Sequence, residues 1–284
     1  MNGNSTALHP SVHYYDGDYP SPESTAYPEN FDEITAAQGL AHDIARYKEI
    51  AAATGGPVLE LCCGTGRVAI PLAKAGFNVT AVDISEGLIS AFRKKLSLEP
   101  AKVRKNMKII QQDITRLSLE RRDFKTIIIA FNSLLCVPEF KGQCAALEAI
   151  AKHLSPEGRL VLDIVNPLVL KFDADSVPKA FFTRKNPHTG NTYTRFAMRG
   201  AFDADHRQRL HGWYDEITPD GTVKRRHYSV YWRPIFRFEI ELMLKQAGLR
   251  IETLEGGHLK EPYTAQSAHL FIQAVKAQKE KIKC

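Results

Sequence analysis

The residues with the clearest chemical potential lie at 58–69, where the segment VLELCCGTGRVA joins an apolar run to a glycine-rich turn. Gly64 and Gly66 permit a tight turn and a close approach of the backbone, and a helix that starts directly after them offers unpaired N–H groups to an anion. Asp83 ends the next apolar run, where a carboxylate can accept hydrogen bonds from both hydroxyls of a ribose. Asp113 ends a third run. This combination predicts a site for a nucleotide-type ligand.

Each aspartate also has a simpler interpretation, because Asp is among the preferred N-cap residues of helices. In an open parallel sheet, however, ligands bind outside the carboxyl ends of the strands, at the point where the strand order reverses. The glycine turn, both aspartates and Asn132–Ser133 all follow apolar runs in the order that such a site requires. Their combination favours a binding site over separate helix caps.

These side chains need a scaffold, and the hydrophobic pattern predicts one in which short strands alternate with helices. Such alternation is typical of an α/β fold whose parallel sheet is covered by helices on both faces. The predicted strands are 58–62, 78–82, 107–111, 126–131, 159–165, 250–254 and 269–275. The predicted helices are 68–75, 86–98, 144–154 and 235–247. We therefore expect a Rossmann-like, seven-stranded, mostly parallel sheet.

The pattern changes after residue 167, where turn clusters separate strand-like runs. This predicts an antiparallel β insertion after the fifth strand. The insertion has two open interpretations, a lid over the substrate or the element that forms a homodimer. The predicted parts of the chain are an N-terminal aromatic arm or lid at 1–29, a core at 30–165 and 235–276, the insertion at 166–234 and a basic tail at 277–284.

The composition of the 284 residues is close to that of ordinary globular proteins. No apolar run approaches the roughly 20 residues that span a bilayer, and the N-terminus lacks the basic and apolar segments of a secretion signal. Five cysteines without a CxxC spacing predict neither a disulfide framework nor a zinc site. We therefore expect a cytoplasmic protein that binds no metal.

The net charge of +6 is concentrated in one region, since residues 179–237 contain twelve Lys or Arg and five Asp or Glu. A local excess of this kind favours an anion-facing element over a generally basic, nucleic-acid-binding protein. On a strand, Arg195 and Arg199 would lie on the same face, and arginines bind carboxylate or phosphate with two hydrogen bonds. We predict that they contact an anionic acceptor. A solvated face of the sheet is the alternative.

The segment Glu60–Gly66 resembles motif I of the class I S-adenosylmethionine-dependent methyltransferases, an acidic residue followed by a Gly-x-Gly turn. Residues 82–85 and 112–114 resemble the acidic ends of the second and third strands in that family. Residues 154–167 look like its fifth-strand segment. The resemblance implies S-adenosyl-L-methionine as cofactor, S-adenosyl-L-homocysteine as product, and an antiparallel pair of strands at one edge of the sheet.

The resemblance also implies a role for each residue of the site. Glu60 would position the methionine part of the cofactor, while Gly64 and Gly66 let the backbone approach it. Asp83 would accept the ribose hydroxyls and Asp113 the adenine amino group. A nicotinamide-dependent dehydrogenase, the rival interpretation, leaves Glu60 and Asp113 without a role. The predicted cofactor-binding residues are Tyr14, Glu60, Gly64, Thr65, Gly66, Asp83, Ile84, Asp113, Ile114 and Phe131.

Within the family, the order of arm, core and insertion looks most like the enzymes that methylate amino groups of nucleotide-linked sugars. The motif Tyr14–Tyr15–Asp16 is similar to their N-terminus, which folds over the cofactor. Cys136 stands where those enzymes tend to carry a histidine, so that a shared catalytic base is not implied. The predicted catalytic residues are Tyr14, Asn132 and His211, and the predicted substrate-binding residues are Tyr15, Arg195, Arg199 and Trp213.

These observations predict methyl transfer to a small-molecule acceptor, with N-methylation of an anionic or natural-product metabolite favoured. An RNA methyltransferase, an O- or C-methyltransferase of a small aromatic compound or carboxylate, and a non-catalytic cofactor-binding protein are the alternatives. No separate RNA-binding segment is recognisable, and residues 132–135 (NSLL) lack the Pro-Pro-Tyr/Phe element of base-methylating enzymes. We therefore expect neither nucleic acid nor a membrane as a partner.

Overall fold

The computed structural model describes residues 10–21 and 39–277. The remaining parts of the predicted arm, the first residues of the predicted core and nearly all of the basic tail lie outside these ranges. Within them, no helix combines the length and the apolar character that crossing a membrane requires.

Strands and helices alternate along most of the described chain. The strands are β1 (Val58–Leu61), β2 (Val79–Asp83), β3 (Met107–Gln111), β4 (Phe124–Ile129), β5 (Leu154–Val165), β6 (Lys179–Lys185), β7 (Thr192–Phe202), β8 (Gln208–Ile217), β9 (Val223–Trp232), β10 (Leu249–Glu255) and β11 (His269–Lys276). The helices are α1 (Tyr15–Asp18), α2 (Asp43–Thr54), α3 (Ala69–Lys74), α4 (Glu86–Ser97), α5 (Ala101–Lys105), α6 (Phe140–His153) and α7 (Arg237–Gln246). Short 3-10 helices at 10–13, 114–116, 133–136 and 167–169 connect them.

Seven strands form the main sheet, in the order β10-β11-β5-β4-β1-β2-β3. The strands from β1 to β5 pair in parallel, whereas β11 is antiparallel to both of its neighbours. The predicted Rossmann-like, mostly parallel sheet with an antiparallel edge is therefore confirmed. The strand order reverses between β1 and β4, so the carboxyl ends of these two strands border the expected ligand site.

Helices cover both faces of this sheet, which explains why its central strands are mostly apolar and buried on both faces rather than at alternate positions. Leu59 and Leu61 of β1 belong to one hydrophobic cluster, and Val58 of the same strand belongs to a second cluster on the other face. The resulting rigid sheet holds the polar residues that follow each strand in fixed positions.

The insertion is a separate four-stranded antiparallel sheet, β6-β7-β8-β9, which lies in the chain between β5 and α7. Alternation along the strands gives it two different faces. The inner face carries the buried Tyr193, Tyr214 and Tyr228, which pack around Tyr14 of the arm. The insertion thus binds the arm directly.

Candidate active site

The glycine turn after β1 has the backbone conformation that its sequence predicts. Gly64 and Gly66 have φ angles of 56° and 84°, in the left-handed region that favours glycine. A Cβ on Gly66 would lie 2.4 Å from the ring of Phe92 in α4, and a Cβ on Gly64 would lie 2.9 Å from the hydroxyl of Tyr15. Gly66 therefore permits helix packing, while Gly64 leaves room for the arm.

Asp83 fixes this turn from the end of β2. Its Oδ2 accepts a hydrogen bond from the Gly64 N–H at 2.8 Å, and its Oδ1 accepts one from the Ser85 N–H at 2.8 Å. Burial raises the pKa of this carboxyl, although both backbone donors act in the opposite direction. Each carboxylate oxygen can accept a second hydrogen bond. Asp83 can therefore hold the turn and still receive ligand hydroxyls.

Glu60 is a buried carboxyl in the middle of β1. The Ala69 N–H donates to it, but its Oε2 is buried without a hydrogen-bond partner among the described residues. Burial, reinforced by the negative charge of Asp83, raises the pKa of Glu60 to about 8, even though the nearby Arg67 lowers it. An unpaired carboxylate oxygen at this depth is costly unless a donor meets it, so Glu60 is suited to receive a ligand cation.

The residues predicted for the adenine side differ in their surroundings. Ile84 is 65% exposed directly after β2, so its side chain is free to pack against a ligand at this strand end. Asp113 caps the 3-10 helix after β3, and its Oδ1 accepts hydrogen bonds from the N–H and the hydroxyl of Thr115. Ile114 is buried in the core cluster, because that 3-10 helix turns it inward. Its side chain therefore faces away from the strand ends, so the predicted cofactor contact of Ile114 would have to use its backbone.

Asp16 connects the arm to the glycine turn. The Thr65 hydroxyl donates to its Oδ1 at 2.6 Å, and Lys95 Nζ of α4 lies 2.7 Å from the same oxygen. His188 of the insertion lies 3.5 Å from Oδ2. Burial opposes the ionisation of Asp16, but the hydrogen bonds from His188 and Lys95 hold its pKa at about 2. The Thr65 hydroxyl, predicted to face the cofactor, thus binds the arm.

Tyr15 is the arm residue that reaches the site. Its hydroxyl lies over Gly64, and its ring contacts Tyr19 edge to face, with 5.0 Å between the ring centroids. Tyr19 in turn contacts Phe131, which follows β4, at 5.1 Å. The Arg67 guanidinium lies 5.8 Å from the centre of the Phe131 ring. An aromatic row thus extends from the glycine turn to the end of β4.

Tyr14 occupies a different place from the one predicted. It is fully buried on the inner face of the insertion, stacked on Tyr214 with 4.1 Å between the centroids. Its hydroxyl donates to Glu216 at 2.9 Å and accepts from Arg226 at 2.7 Å. Burial and the Glu216 hydrogen bond raise its pKa to about 12. Because α1 turns the two tyrosines to opposite sides, Tyr14 anchors the arm and Tyr15 faces the cofactor site.

Asn132 holds two strand ends together. Its backbone adopts a left-handed conformation, with φ at 63°. Its N–H donates to the Asp163 carbonyl at 2.8 Å, and its side-chain Oδ1 accepts from the Val165 N–H. Both contacts join the end of β4 to the end of β5. These contacts make Asn132 a positioning residue, whereas a catalytic role was predicted.

His211 and Trp213 lie on the outer face of the insertion, because neighbouring residues along β8 point to opposite sides. Their neighbour Tyr214 faces the arm. The Trp213 ring stacks on Phe196 at 5.1 Å, and the His211 ring stacks on His227 at 6.0 Å. Neither side chain faces the glycine turn. This position does not favour the catalytic role predicted for His211 or the substrate-binding role predicted for Trp213, and both roles stay predictions.

The predicted anion-binding arginines are already paired with carboxylates. Arg195 forms an ion pair with the buried Asp18 of the arm at 3.1 Å. Arg199 makes a two-pronged contact with Asp175, at 3.0 and 2.9 Å. The sequence predicted their shared face correctly, but it could not show that Asp18 of the arm and Asp175, which precedes β6, neutralise them.

Two thiols lie close to Asp83, near the carboxyl ends of β1 and β4. Cys62 has a φ of 58° at the end of β1, and Cys136 is exposed at the end of the 3-10 helix after β4. The Trp232 indole donates to the Cys136 thiol. Burial by the surrounding walls, with a contribution from the charge of Asp83, raises the pKa of Cys136 to about 11. Both thiols are neutral, since burial also raises the pKa of Cys62 well above its usual value.

Comparisons with known proteins bear on this arrangement. A family model described as a methyltransferase domain matches residues 58–158. YqeM of Bacillus subtilis is 26% identical over 226 residues, which cover 78% of this chain and 85% of that protein. A cypemycin N-terminal methyltransferase of a Streptomyces species is 27% identical over 229 residues, which cover 77% and 82%. The sugar N-methyltransferase KedS8 of a Streptoalloteichus species has the same fold, with a TM-score of 0.66, 17% identity and coverage of 98% and 99%.

The domain match begins at β1 and ends within β5, so it contains the glycine turn and the neighbouring strand ends. The chain carries a class I, S-adenosylmethionine-dependent methyltransferase domain. Its residues fit that cofactor on structural grounds. The unpaired Oε2 of Glu60 suits the ammonium of the methionine part, and the exposed Ile84 suits an adenine ring. In this methyltransferase Asp83 and Tyr15 both contact the glycine turn, next to Glu60 and Ile84.

Proposed function

We propose that this methyltransferase methylates an amine nitrogen of a small-molecule acceptor, such as an amino sugar or another natural-product amine. The observation that carries the proposal is the neutral Cys136 thiol near Asp83, together with the outward position of His211. A hydroxyl or carbon acceptor needs a base to become nucleophilic, whereas a neutral amine attacks without one. Two of the similar proteins are N-methyltransferases by name, which supports the same reaction.

The residues of the chain align the acceptor and exclude water. When bound, S-adenosylmethionine supplies a methyl group on a positively charged sulfur. Asp83 and the glycine turn would hold its nucleoside, and Glu60 its ammonium group. The row formed by Tyr15, Tyr19 and Phe131 would close the site. Alignment of two reactants in a closed site contributes on the order of 7–11 kcal/mol to catalysis. The proton of the methylated amine leaves to solvent.

The acceptor that we propose does not need a negatively charged group for binding. Arg195 and Arg199, the residues that suggested an anionic acceptor, are paired with Asp18 and Asp175. An acceptor carboxylate or phosphate at Arg195 would have to displace Asp18, and breaking this buried pair costs about 3–5 kcal/mol. A sugar or peptide amine without an acidic group avoids this cost.

The reaction can be tested with methyl-labelled S-adenosylmethionine and pairs of acceptors that differ only in an amine or a hydroxyl. We expect label in the amino sugars and in peptide N-terminal amines, with none in the hydroxyl analogues or in RNA. Transfer to the hydroxyl analogues at similar rates would contradict the proposal. The His211→Ala variant should retain its kcat, because His211 lies on the outer face of the insertion.

The pH dependence gives a second test of the same point. If the chain supplies no base, kcat/KM should follow the pKa of each acceptor amine, and acceptors of different pKa should give different profiles. A single profile near pH 6–7 for every acceptor would instead identify an enzyme base and overturn the argument from Cys136.

A further inference from the structure

A cluster of three metal-ligating side chains lies outside the cofactor site. Asp163 belongs to β5, His258 to the turn after β10, and His269 to the start of β11. One ligand atom of each lies within 4.8 Å of the others, and all three residues are buried. No sequence pattern indicates this group, because the histidines lie 95 and 106 residues from Asp163.

Asp163 is the centre of the cluster. Its Oδ2 lies 2.9 Å from His258 Nε2, and its Oδ1 lies 2.7 Å from His269 Nδ1. The Tyr47 hydroxyl of α2 donates to Oδ2 at 2.7 Å. The two imidazole rings are 4.9 Å apart. Hydrogen bonds thus hold one carboxylate and two ring nitrogens at nearly the separation that a metal ion requires.

The chemistry of these atoms is that of a zinc-type site. Zinc takes imidazole nitrogen and carboxylate oxygen, and many sites use three protein ligands with water in the remaining position. A cavity of about 410 Å³ adjoins His258 and His269 and is also lined by His42 and Glu261. This cavity provides an entry path and space for water. The Tyr47 hydroxyl would orient the ligating carboxylate from behind, as the outer neighbours of metal ligands commonly do.

We propose that Asp163, His258 and His269 bind one divalent transition-metal ion of the zinc type. The ion takes the place of the hydrogens between Asp163 and the two ring nitrogens. Each neutral ring then carries its proton on the nitrogen that does not bind the ion, and a doubly protonated ring releases one proton to solvent. The ion ties β11 and the turn at 256–268 to β5. It lies next to the active site without joining it, because the Asp163 carbonyl binds the N–H of Asn132. Its role is therefore structural.

The test uses the full chain, treated with a chelator and then titrated with Zn²⁺ by calorimetry and with Co²⁺ by visible absorption. We expect one ion per chain, a Co²⁺ spectrum typical of low coordination number, and a higher unfolding temperature with Zn²⁺. His258→Gln and His269→Gln should each weaken binding more than Tyr47→Phe does. Tyr47→Phe removes an outer neighbour, so it should cost about 10–100-fold in affinity while the stoichiometry stays at one.

His206→Asn is the matched control, since His206 is an exposed histidine in the turn between β7 and β8. It should bind both ions as the unmodified chain does. Failure of the folded, unmodified chain to bind Zn²⁺ or Co²⁺ would overturn the proposal and leave the cluster as a hydrogen-bonded clamp. Undiminished binding in folded His269→Gln would also overturn it.

Discussion

Glu60 is the residue whose ionisation is most closely linked to the cofactor. In the free protein its pKa is about 8, so most molecules hold a proton on this carboxyl at pH 7. A cation beside Oε2 would favour the charged form and lower that pKa. The folded chain thereby gains a carboxylate only when a ligand is present to pair with it.

We therefore expect S-adenosylmethionine binding at pH 7 to release a proton, and its affinity to rise as the pH increases through about 8. Calorimetry in buffers with different ionisation enthalpies measures this release directly. Glu60→Gln should bind more weakly and release no proton from this position. Equal proton release in the variant and the unmodified chain would show that another group is responsible.

The contact between Gly64 and Tyr15 of the arm can be tested with a single substitution. Gly64→Ala would place a methyl group 2.9 Å from the Tyr15 hydroxyl at a φ of 56°. Gly76→Ala is the matched control, because Gly76 has a φ of 96° but no atom within 4 Å of the added carbon. Both should lose about 1–3 kcal/mol of stability from backbone strain. We expect a marked loss of S-adenosylhomocysteine affinity only in Gly64→Ala. Equal losses would contradict a cofactor role for this contact.

Among the elements, the arm acquires its position from the insertion. The Asp18 carboxylate accepts hydrogen bonds from the hydroxyls of Tyr193 and Tyr214 at 2.8 and 2.6 Å, in addition to its ion pair with Arg195. Arg184 donates to the Asp18 carbonyl at 2.6 Å. The arm is a single helical turn that could not be stable alone, and these contacts hold it in place.

Arg195→Ala and Arg199→Ala separate this anchoring role from acceptor binding. Arg195→Ala leaves Asp18 buried without its cation, a loss of about 3–5 kcal/mol. If about 1.4 kcal/mol of this loss appears as weaker positioning of Tyr15 in the complex, the affinity for S-adenosylhomocysteine falls tenfold. Arg199→Ala breaks only the contact with Asp175, so cofactor affinity should not change. Calorimetry with the product decides the matter. A rise in acceptor KM alone, equal in both variants, would restore the anion-binding interpretation.

Sequence patterns predicted the sheet well, because its central strands are mostly apolar. The observed strands differ from the predicted bounds by a few residues. The predicted strand at 107–111 coincides with β3. Motif I and Asp83 were predicted for the same reason, since their roles depend on local strand-to-helix turns. The partners of Tyr14, Arg195 and Asp163 were not predictable, because these contacts join segments between 95 and 202 residues apart.

At the scale of the whole molecule, ion pairs offset part of the local positive charge. The arginines of the insertion and of the segment that follows it are paired with acids of the arm, of the insertion itself and of α7, and with Glu139 and Asp175. The ion pairs are Arg195–Asp18, Arg199–Asp175, Arg207–Glu139, Arg225–Asp215, Arg226–Glu216, Arg233–Glu239 and Arg237–Glu241. The basic segment therefore stabilises the tertiary structure of the described chain.

We accordingly expect no measurable affinity for RNA at moderate salt. A protein that neutralises six to ten phosphates loses about 10³–10⁵ in affinity between 50 and 200 mM salt, so low-salt titration of a labelled RNA is the sensitive measurement. Tight binding at 50 mM that collapses by 200 mM would revive the RNA methyltransferase alternative. Digestion of the RNA before the methylation assay should leave amine methylation unchanged.

The long separation between the arm and its partners has a consequence for synthesis of the chain. The Tyr14 hydroxyl can bind Glu216 only after the ribosome has added 202 further residues. At ribosomal rates of about 5–20 residues per second, that interval lasts roughly 10–40 s. During this time no anchored arm covers the glycine turn. The nascent chain can therefore bind the nucleoside part of the cofactor before the insertion that anchors the arm has been synthesised.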